Sequence, residues 1–291
     1  MKADVSLFFP NNIEPPALKS ADSNLLDELA KLVERRTLMQ FNVDRRNHFI
    51  STVNTRARLC GDHDVNSYIR RVKGVGGEAE MMNLIDDLTI NETSFFRNVP
   101  QLNMFSKIVL PEIIKRKTNQ SEPKTINIWS AACSTGQEVY TLAILALEAL
   151  LISPAWTIKV YGTDISRKVL SVARKGVYPK ARLENMPSQY LSRYFDNIGD
   201  FIQVKDSLHN ITSFQQHNLN DIFPPGPFDV IFCRNVMIYF SREDQTRLAH
   251  KFRERLTPEG YLFIGHSESL HGLNVDFKIR LQEGGVVYQK G

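Results

Sequence analysis

Residues 125–138 read TINIWSAACSTGQE, and the order of residue types in that stretch decides the fold. Thr125 to Ala131 is a short apolar run that ends in small residues, the pattern of a buried strand. Ser130 through Glu138 follows as a small-residue turn, and a helical stretch, 138–151, begins there. Strand, small turn and helix make the opening unit of an α/β sheet. The turn itself excludes two classes. With Gly136 as its one glycine it is not the GxGxxG dinucleotide fingerprint, and no GK[ST] follows to make a P-loop. A nicotinamide dehydrogenase or an NTPase is therefore not expected.

The alternation continues downstream. Residues 157–161 read as a strand ending at Gly162-Thr163-Asp164, and 166–175 as a helix. Residues 228–233 read as a strand, 242–256 as a helix and 260–265 as a strand. Residues 277–281 and 286–289, joined through Gly284-Gly285, read as a terminal hairpin. This order predicts a parallel, doubly wound sheet with an antiparallel edge, which binds ligands at the carboxyl ends of its strands.

Upstream the texture is helical, with no strand-like run over 21–90. Leu25, Leu26, Leu29, Leu32 and Val33 fall at helical spacing after a cap at Asp22 or Ser23. Asp44 opens a second helix to about Cys60, with Phe49, Val53, Ala57 and Cys60 on one face and Gly61 as its stop. Residues 64–72 and 78–88 read as two more helices, separated by Gly74, Gly76 and Gly77. Residues 1–20, with Pro10, Pro15 and Pro16, read as an N-terminal arm. The expected domains are thus the arm, a helical domain over 21–90 and an α/β domain over 91–291.

Apolar residues make up 42% of the 291 and charged residues 23%, which excludes a disordered or fibrous chain. No apolar run is long enough to span a bilayer. The formal net charge of +4 is too small to point to nucleic acid. Cys60, Cys133 and Cys233 are sparse and form no CxxC, so free thiols and no metal site are expected. The sparse free thiols fit a reducing cytoplasm, the location expected, and no basic stretch followed by an apolar one opens the chain, so no secretory signal is expected.

Two carboxylates carry the first chemical signal. Glu138 lies in the first turn of its helix, where it would repel a pyrophosphate but accept a hydrogen bond from an amino group. Asp164 ends the next strand, where an acid of this fold accepts hydrogen bonds from a ribose diol. Together they favour a nucleoside bearing a cationic amino-acid group, which S-adenosylmethionine matches. Plainer readings stay open. Glu138 and Asp164 also suit helix capping. The segment Asn91–Arg97 (NETSFFR) reads equally well as a domain hinge with buried aromatic anchors. Tyr239 suits a core as well as a site.

NETSFFR at 91–97, WSAACSTGQE at 129–138, GTD at 162–164, FDVIFCRNVMIYF at 228–240 and GYLFIGHSE at 260–268 resemble the CheR family of chemotaxis receptor methyltransferases. They occur in the family's order, and the resemblance runs from about residue 20 to the end. It implies a helical N-terminal domain followed by an S-adenosylmethionine-dependent methyltransferase domain carrying a small antiparallel β-subdomain, here at about 196–213. It implies methyl transfer to glutamate side chains on the cytoplasmic helices of chemoreceptors, giving a glutamate methyl ester and S-adenosylhomocysteine, by an enzyme recruited to receptor arrays.

By the same resemblance, Asn91, Thr93 and Arg97 contact the cofactor. Glu138 faces its amino group, Asp164 its ribose, and Asn218 and Leu219 its adenine. Arg234 and Asn235 lie beside it, and Arg97 and Tyr239 stand next to the reacting methyl. Many members carry Glu where Gln137 stands, but Glu138 is kept. Arg45, Thr52 and Arg56 form one stripe of the second helix, with Arg46 and Arg58 nearby. They are expected to steer an acidic receptor helix, with solvated surface arginines as the alternative. The segment Asp196–Phe201 is short, so dependence on a receptor tail pentapeptide is not expected.

Overall fold

The computed structural model describes residues 22–120, 123–150, 155–183 and 186–291. The arm expected at 1–20 lies outside them. The described chain forms two compact units, one of residues 22–32 and 41–84, the other of 33–40 and 85–291. The division thus falls at 85 rather than 91, and a short upstream segment joins the second unit.

The first unit is built from α1 (Ser23–Thr37), α2 (Val43–Leu59), α3 (Val65–Lys73) and α4 (Glu78–Leu88), with the ends of α1 and α4 belonging to the second unit. Helical spacing brings Leu29, Phe49, Val53, Ala57, Tyr68 and Ile69 into one fully buried core. Asn42 rather than Asp44 caps α2, its side chain accepting from Arg45 N at 3.2 Å. Asp64 caps α3, accepting from Ser67 N at 2.7 Å. At Gly61 the backbone turns left-handed (φ 72°), which ends α2 as a glycine permits.

In the second unit, α5 (Val99–Met104) runs through a π-helical turn (Phe105–Val109) into α6 (Leu110–Asn119). The strands are β1 (Thr125–Ala131), β2 (Thr157–Asp164), β3 (Val177–Pro179), β4 (Phe195–Ile198), β5 (Phe201–Val204), β6 (Thr212–Gln216), β7 (Phe228–Cys233), β8 (Leu256–Ile264), β9 (Phe277–Gln282) and β10 (Gly285–Lys290). The helices α7 (Gln137–Ala149), α8 (Arg167–Lys175), α9 (Ser188–Tyr194), α10 (Asp206–His209) and α11 (Arg242–Arg255) alternate with them.

The large sheet has the order β6-β2-β1-β7-β8-β10-β9. Its first five strands are parallel, and β10 runs antiparallel to both β8 and β9. This is the doubly wound sheet with an antiparallel edge that the alternation predicts. Every residue of β7 is buried, as a central parallel strand requires. One of them is Asp229, at the start of the strand. Its carboxylate lies 2.8 Å from Lys117 Nζ and 3.4 Å from Arg116, and it accepts from Asn127 N at 2.9 Å. The network ties α6 to β1 and β7 at the end of the sheet opposite the strand tips.

Two boundaries differ from expectation. β8 begins at Leu256 rather than Gly260, with a register irregularity against β7 between Phe228 and Val230 taking up three extra residues around Pro258. The small antiparallel sheet has the order β3-β5-β4 and therefore spans 177–204, not 196–213. Residues 212–216 pair instead with β2 at the edge of the large sheet.

Candidate active site

The chain order changes direction between β1 and β7, and there the carboxyl ends of β1, β2 and β7 border a cleft of about 940 Å³ counted to its open mouth. The switch point of an α/β sheet is where such a fold binds its ligand. Asn91, Thr93, Arg97, Glu138, Asp164, Asn218, Leu219, Arg234, Asn235 and Tyr239 all line it. The structure thus brings together every residue expected to serve cofactor or chemistry. Arg45, Arg46, Arg56 and Arg58 are carried by α2 in the first unit.

Glu138 is placed by α7, whose first turn follows the left-handed Gly136 (φ 90°); a Cβ at Gly136 would lie 2.8 Å from the Ala173 side chain. Glu138 Oε1 accepts from Ser130 Oγ at 2.7 Å, and Oε2 accepts from Arg234 Nε at 2.6 Å. Arg234 then donates through Nη1 to Arg97 O at 2.9 Å and to Gln101 Oε1 at 3.2 Å. Gln101 Nε2 in turn donates to Ile264 O at 2.6 Å. A buried ion pair therefore fixes both the carboxylate and the backbone of Arg97. Each carboxylate oxygen keeps acceptor capacity for a further donor.

Asp164 is buried at the end of β2. Its Oδ2 accepts from Ser134 N at 2.8 Å and its Oδ1 from Ser166 N at 2.9 Å. It therefore shapes the turn after β1, while Ser166 caps α8 by accepting from Val169 N at 3.4 Å. Burial raises the Asp164 pKa to about 6, against these backbone hydrogen bonds, and the nearby Asp86 carboxylate adds to the rise. Ala132, Ser134 and Asn235 all sit at positive φ beside the cleft. Such strain at non-glycine residues gathers at functional sites.

The 91–97 segment divides between buried aromatic residues and residues that line the cleft. Phe95 packs edge-on against Tyr178 and Phe195 at 5.0 and 5.5 Å, and Phe96 stacks on Tyr190 at 5.5 Å. These are anchors into the region of the small sheet. Asn91, Thr93 and Arg97 face the cleft between and beside them. The Arg97 side chain donates from Nη1 to Glu92 O at 2.8 Å.

Met39 and His217 also line the cleft, outside the motifs and candidate residues of the sequence. Asn218 donates to Arg36 O at 2.6 Å, and Tyr239 O accepts from Gln40 N at 2.8 Å, so the 33–40 segment borders the cleft and contributes Met39. Glu268 lies within the GYLFIGHSE motif but had no role. Its carboxylate takes Asn235 N at 3.0 Å, Ile238 N at 3.2 Å and Gly265 N, pinning the ends of β7 and β8 together. His217 lines the cleft beside Asn218, and its Nε2 lies 3.0 Å from Ile222 O. That contact assigns the proton to Nε2 and leaves Nδ1 an acceptor, yet Nδ1 is buried with no partner. Burial also holds the ring's pKa below the usual histidine value, which keeps it neutral.

Three of the four α2 arginines have partners within their own unit. Arg56 forms a two-point pair with Glu80, at 2.9 Å from Nε and 2.7 Å from Nη2, and Arg46 pairs with Asp27. Arg45 lies over the Phe41 ring at 5.6 Å, and Arg58 is exposed. Thr52 is buried and donates to His48 O, so it is no part of an exposed stripe.

The donor set of the cleft suits S-adenosylmethionine. Glu138 supplies acceptors for an ammonium and Asp164 acceptors for a diol. No cluster of metal-ligating residues occurs among the described residues. Burial pushes the Cys133 and Cys233 thiols well up, so neither is a ready nucleophile. No helix among the described residues is long and apolar enough to cross a membrane.

Residues 91–285 match the family described as CheR methyltransferase, SAM binding domain. The chain is similar to the chemotaxis protein methyltransferase of Borreliella burgdorferi, 35% identical over 251 residues, which is 85% of this chain and 88% of that protein. It is 34% identical over 261 residues to that of Salmonella typhimurium, covering 87% of this chain and 86% of the other. The Escherichia coli protein of the same name is 33% identical over 261 residues, covering 87% of both chains.

Proposed function

The chain belongs to the CheR methyltransferase family and is an S-adenosylmethionine-dependent methyltransferase of chemotaxis, and from that premise we propose that it esterifies glutamate side chains on chemoreceptor cytoplasmic helices. The observation that carries this reading is the convergence of Arg97 and Tyr239 on the cleft that holds Glu138 and Asp164. The products are a glutamate methyl ester and S-adenosylhomocysteine.

A glutamate carboxylate has a reference pKa of about 4.3 and is ionised at neutral pH, so the nucleophile needs no general base. The bound cofactor supplies a methyl group already activated by its sulfonium. What remains for the protein is orientation and exclusion of water. Glu138 and Asp164 hold the amino-acid and ribose ends, and Asn218, Leu219 and His217 line the adenine. Asn91, Thr93, Arg234 and Asn235 close around them. The Arg97 guanidinium directs the incoming carboxylate by charge-assisted hydrogen bonds, with Tyr239 at its side. The Arg234 hydrogen bond to Arg97 O fixes the backbone from which that side chain reaches.

The basic helix α2 reads the acidic receptor helix, with the exposed Arg58 as its leading cation and Arg45, Arg46 and Arg56 on the same helix. The enzyme is recruited to cytoplasmic receptor arrays without a tail pentapeptide, a reading supported by the tight two-residue turn, Gly199-Asp200, between β4 and β5. Calorimetry with a receptor tail peptide tests the last point, and measurable binding overturns it. Charge reversal at Arg58 tests the helix; receptor methylation that is unchanged at low salt contradicts that role.

A further inference from the structure

Arg97 and Asn235 line a second concavity as well as the cleft. It opens on the β7–β8–β10 side of the switch point, where Gly265, His266 and Ser269 follow β8 and Asn98 precedes α5. It shares none of the residues at the Asp164 and Asn218 end of the cleft. Glu268 also borders it, but three backbone N–H groups engage that carboxylate. Arg97 is the cation that borders the groove, and His266 and Ser269 add side-chain hydrogen-bonding groups. A Cβ at Gly265 would lie 2.6 Å from Glu268 Oε2 and 2.8 Å from Asn235 N, so backbone is packed closely here.

Methyl transfer needs its nucleophile in line with the breaking bond, on the side away from the leaving group. With the cofactor's ribose and adenine ends assigned to Asp164 and Asn218, the nucleophile must come from a space that touches Arg97 and avoids that end. The second concavity has both properties. We propose that this groove admits the substrate glutamate and seats the adjoining turn of its acidic helix, with His266 and Ser269 as specificity-determining contacts. The proposal rests on the glutamate reading above.

The test uses the full chain carrying His266→Glu or Ser269→Trp. The first sets a like charge against the arriving carboxylate, and the second fills the groove. The readouts are kcat/KM for a chemoreceptor cytoplasmic fragment and calorimetric affinity for S-adenosylhomocysteine. Each variant should lose about tenfold or more in kcat/KM while its affinity stays within about twofold of wild type. Lys159→Glu, on an exposed position of β2, should change neither. Wild-type kcat/KM in both variants overturns the groove. So does a loss of S-adenosylhomocysteine affinity that matches the loss of activity, which marks a disturbed cleft instead. A wild-type protein that methylates no receptor fragment overturns the glutamate reading beneath it.

Discussion

Arg234 Nε lies 2.6 Å from Glu138 Oε2, and the two side chains are 5% and 12% exposed. The residues come from the end of β7 and the start of α7, on either side of the sheet's switch point. Removing one partner of such a pair strands the other without a counter-ion, which typically costs about 3 kcal/mol or more. Glu138→Ala should therefore lower stability to urea by about that amount. It should also abolish S-adenosylhomocysteine binding in calorimetry, because the amino-group acceptor goes with it. Full affinity in a destabilised variant would leave Glu138 a structural role alone.

Arg97→Ala should lower methyl transfer by about 100-fold or more, the usual cost of one lost charge-stabilising donor. Its thermal unfolding should stay cooperative and near wild type, since the side chain makes one backbone hydrogen bond and is only half-buried. Arg97→Lys should recover little, because an ammonium does not reproduce a planar two-point donor. Near-normal turnover in the alanine variant sinks the role.

Asp164 gives a pH signature. Its pKa in the fold, about 6, stands above the ordinary value of 3.8, so the ionised form is the penalised one. Its contribution to the stability of the ligand-free protein is present below the ordinary value and lost as pH rises through about 6. Ligand binding runs the other way, since a diol needs the carboxylate as acceptor. Affinity for S-adenosylhomocysteine should fall by up to about tenfold per pH unit as pH drops below that pKa. Asp164→Asn should bind more weakly and show a flat profile over the same range. A wild-type affinity that is level from pH 8 to 5 contradicts the assignment.

Asp229 tests the opposite end of the sheet. Its carboxylate is fully buried against Lys117, which is 7% exposed. Asp229→Ala leaves that ammonium and Asn127 N without their partner, and should cost about 3–5 kcal/mol in equilibrium denaturation. The folded fraction should keep wild-type affinity for S-adenosylhomocysteine, because the network lies away from the strand tips.

The fold was legible where burial writes a simple pattern. β1 and β7 are largely apolar runs with the observed bounds, because strands covered on both faces need them. The small sheet was misplaced because its strands are three or four residues long and show too few alternations to read. In the site, the carboxylates at the start of α7 and the end of β2 follow from the fold's geometry. Gln101 and Glu268 do not. The Gln101 contact with Ile264 spans 163 residues, and no local spacing encodes it. The same holds for Arg56, whose sequence neighbours suggest a free basic stripe, while Glu80 from α4 takes its charge in the fold.

Esterification of a receptor carboxyl group is read directly by one labelling experiment. The protein is incubated with methyl-labelled S-adenosylmethionine and a chemoreceptor cytoplasmic fragment, which is then treated with mild base. Label should appear on the fragment and be released by base as methanol, and none should appear when the fragment's glutamates are replaced by glutamine. Label that survives base, or a fragment left unlabelled by a protein that binds S-adenosylhomocysteine, contradicts it.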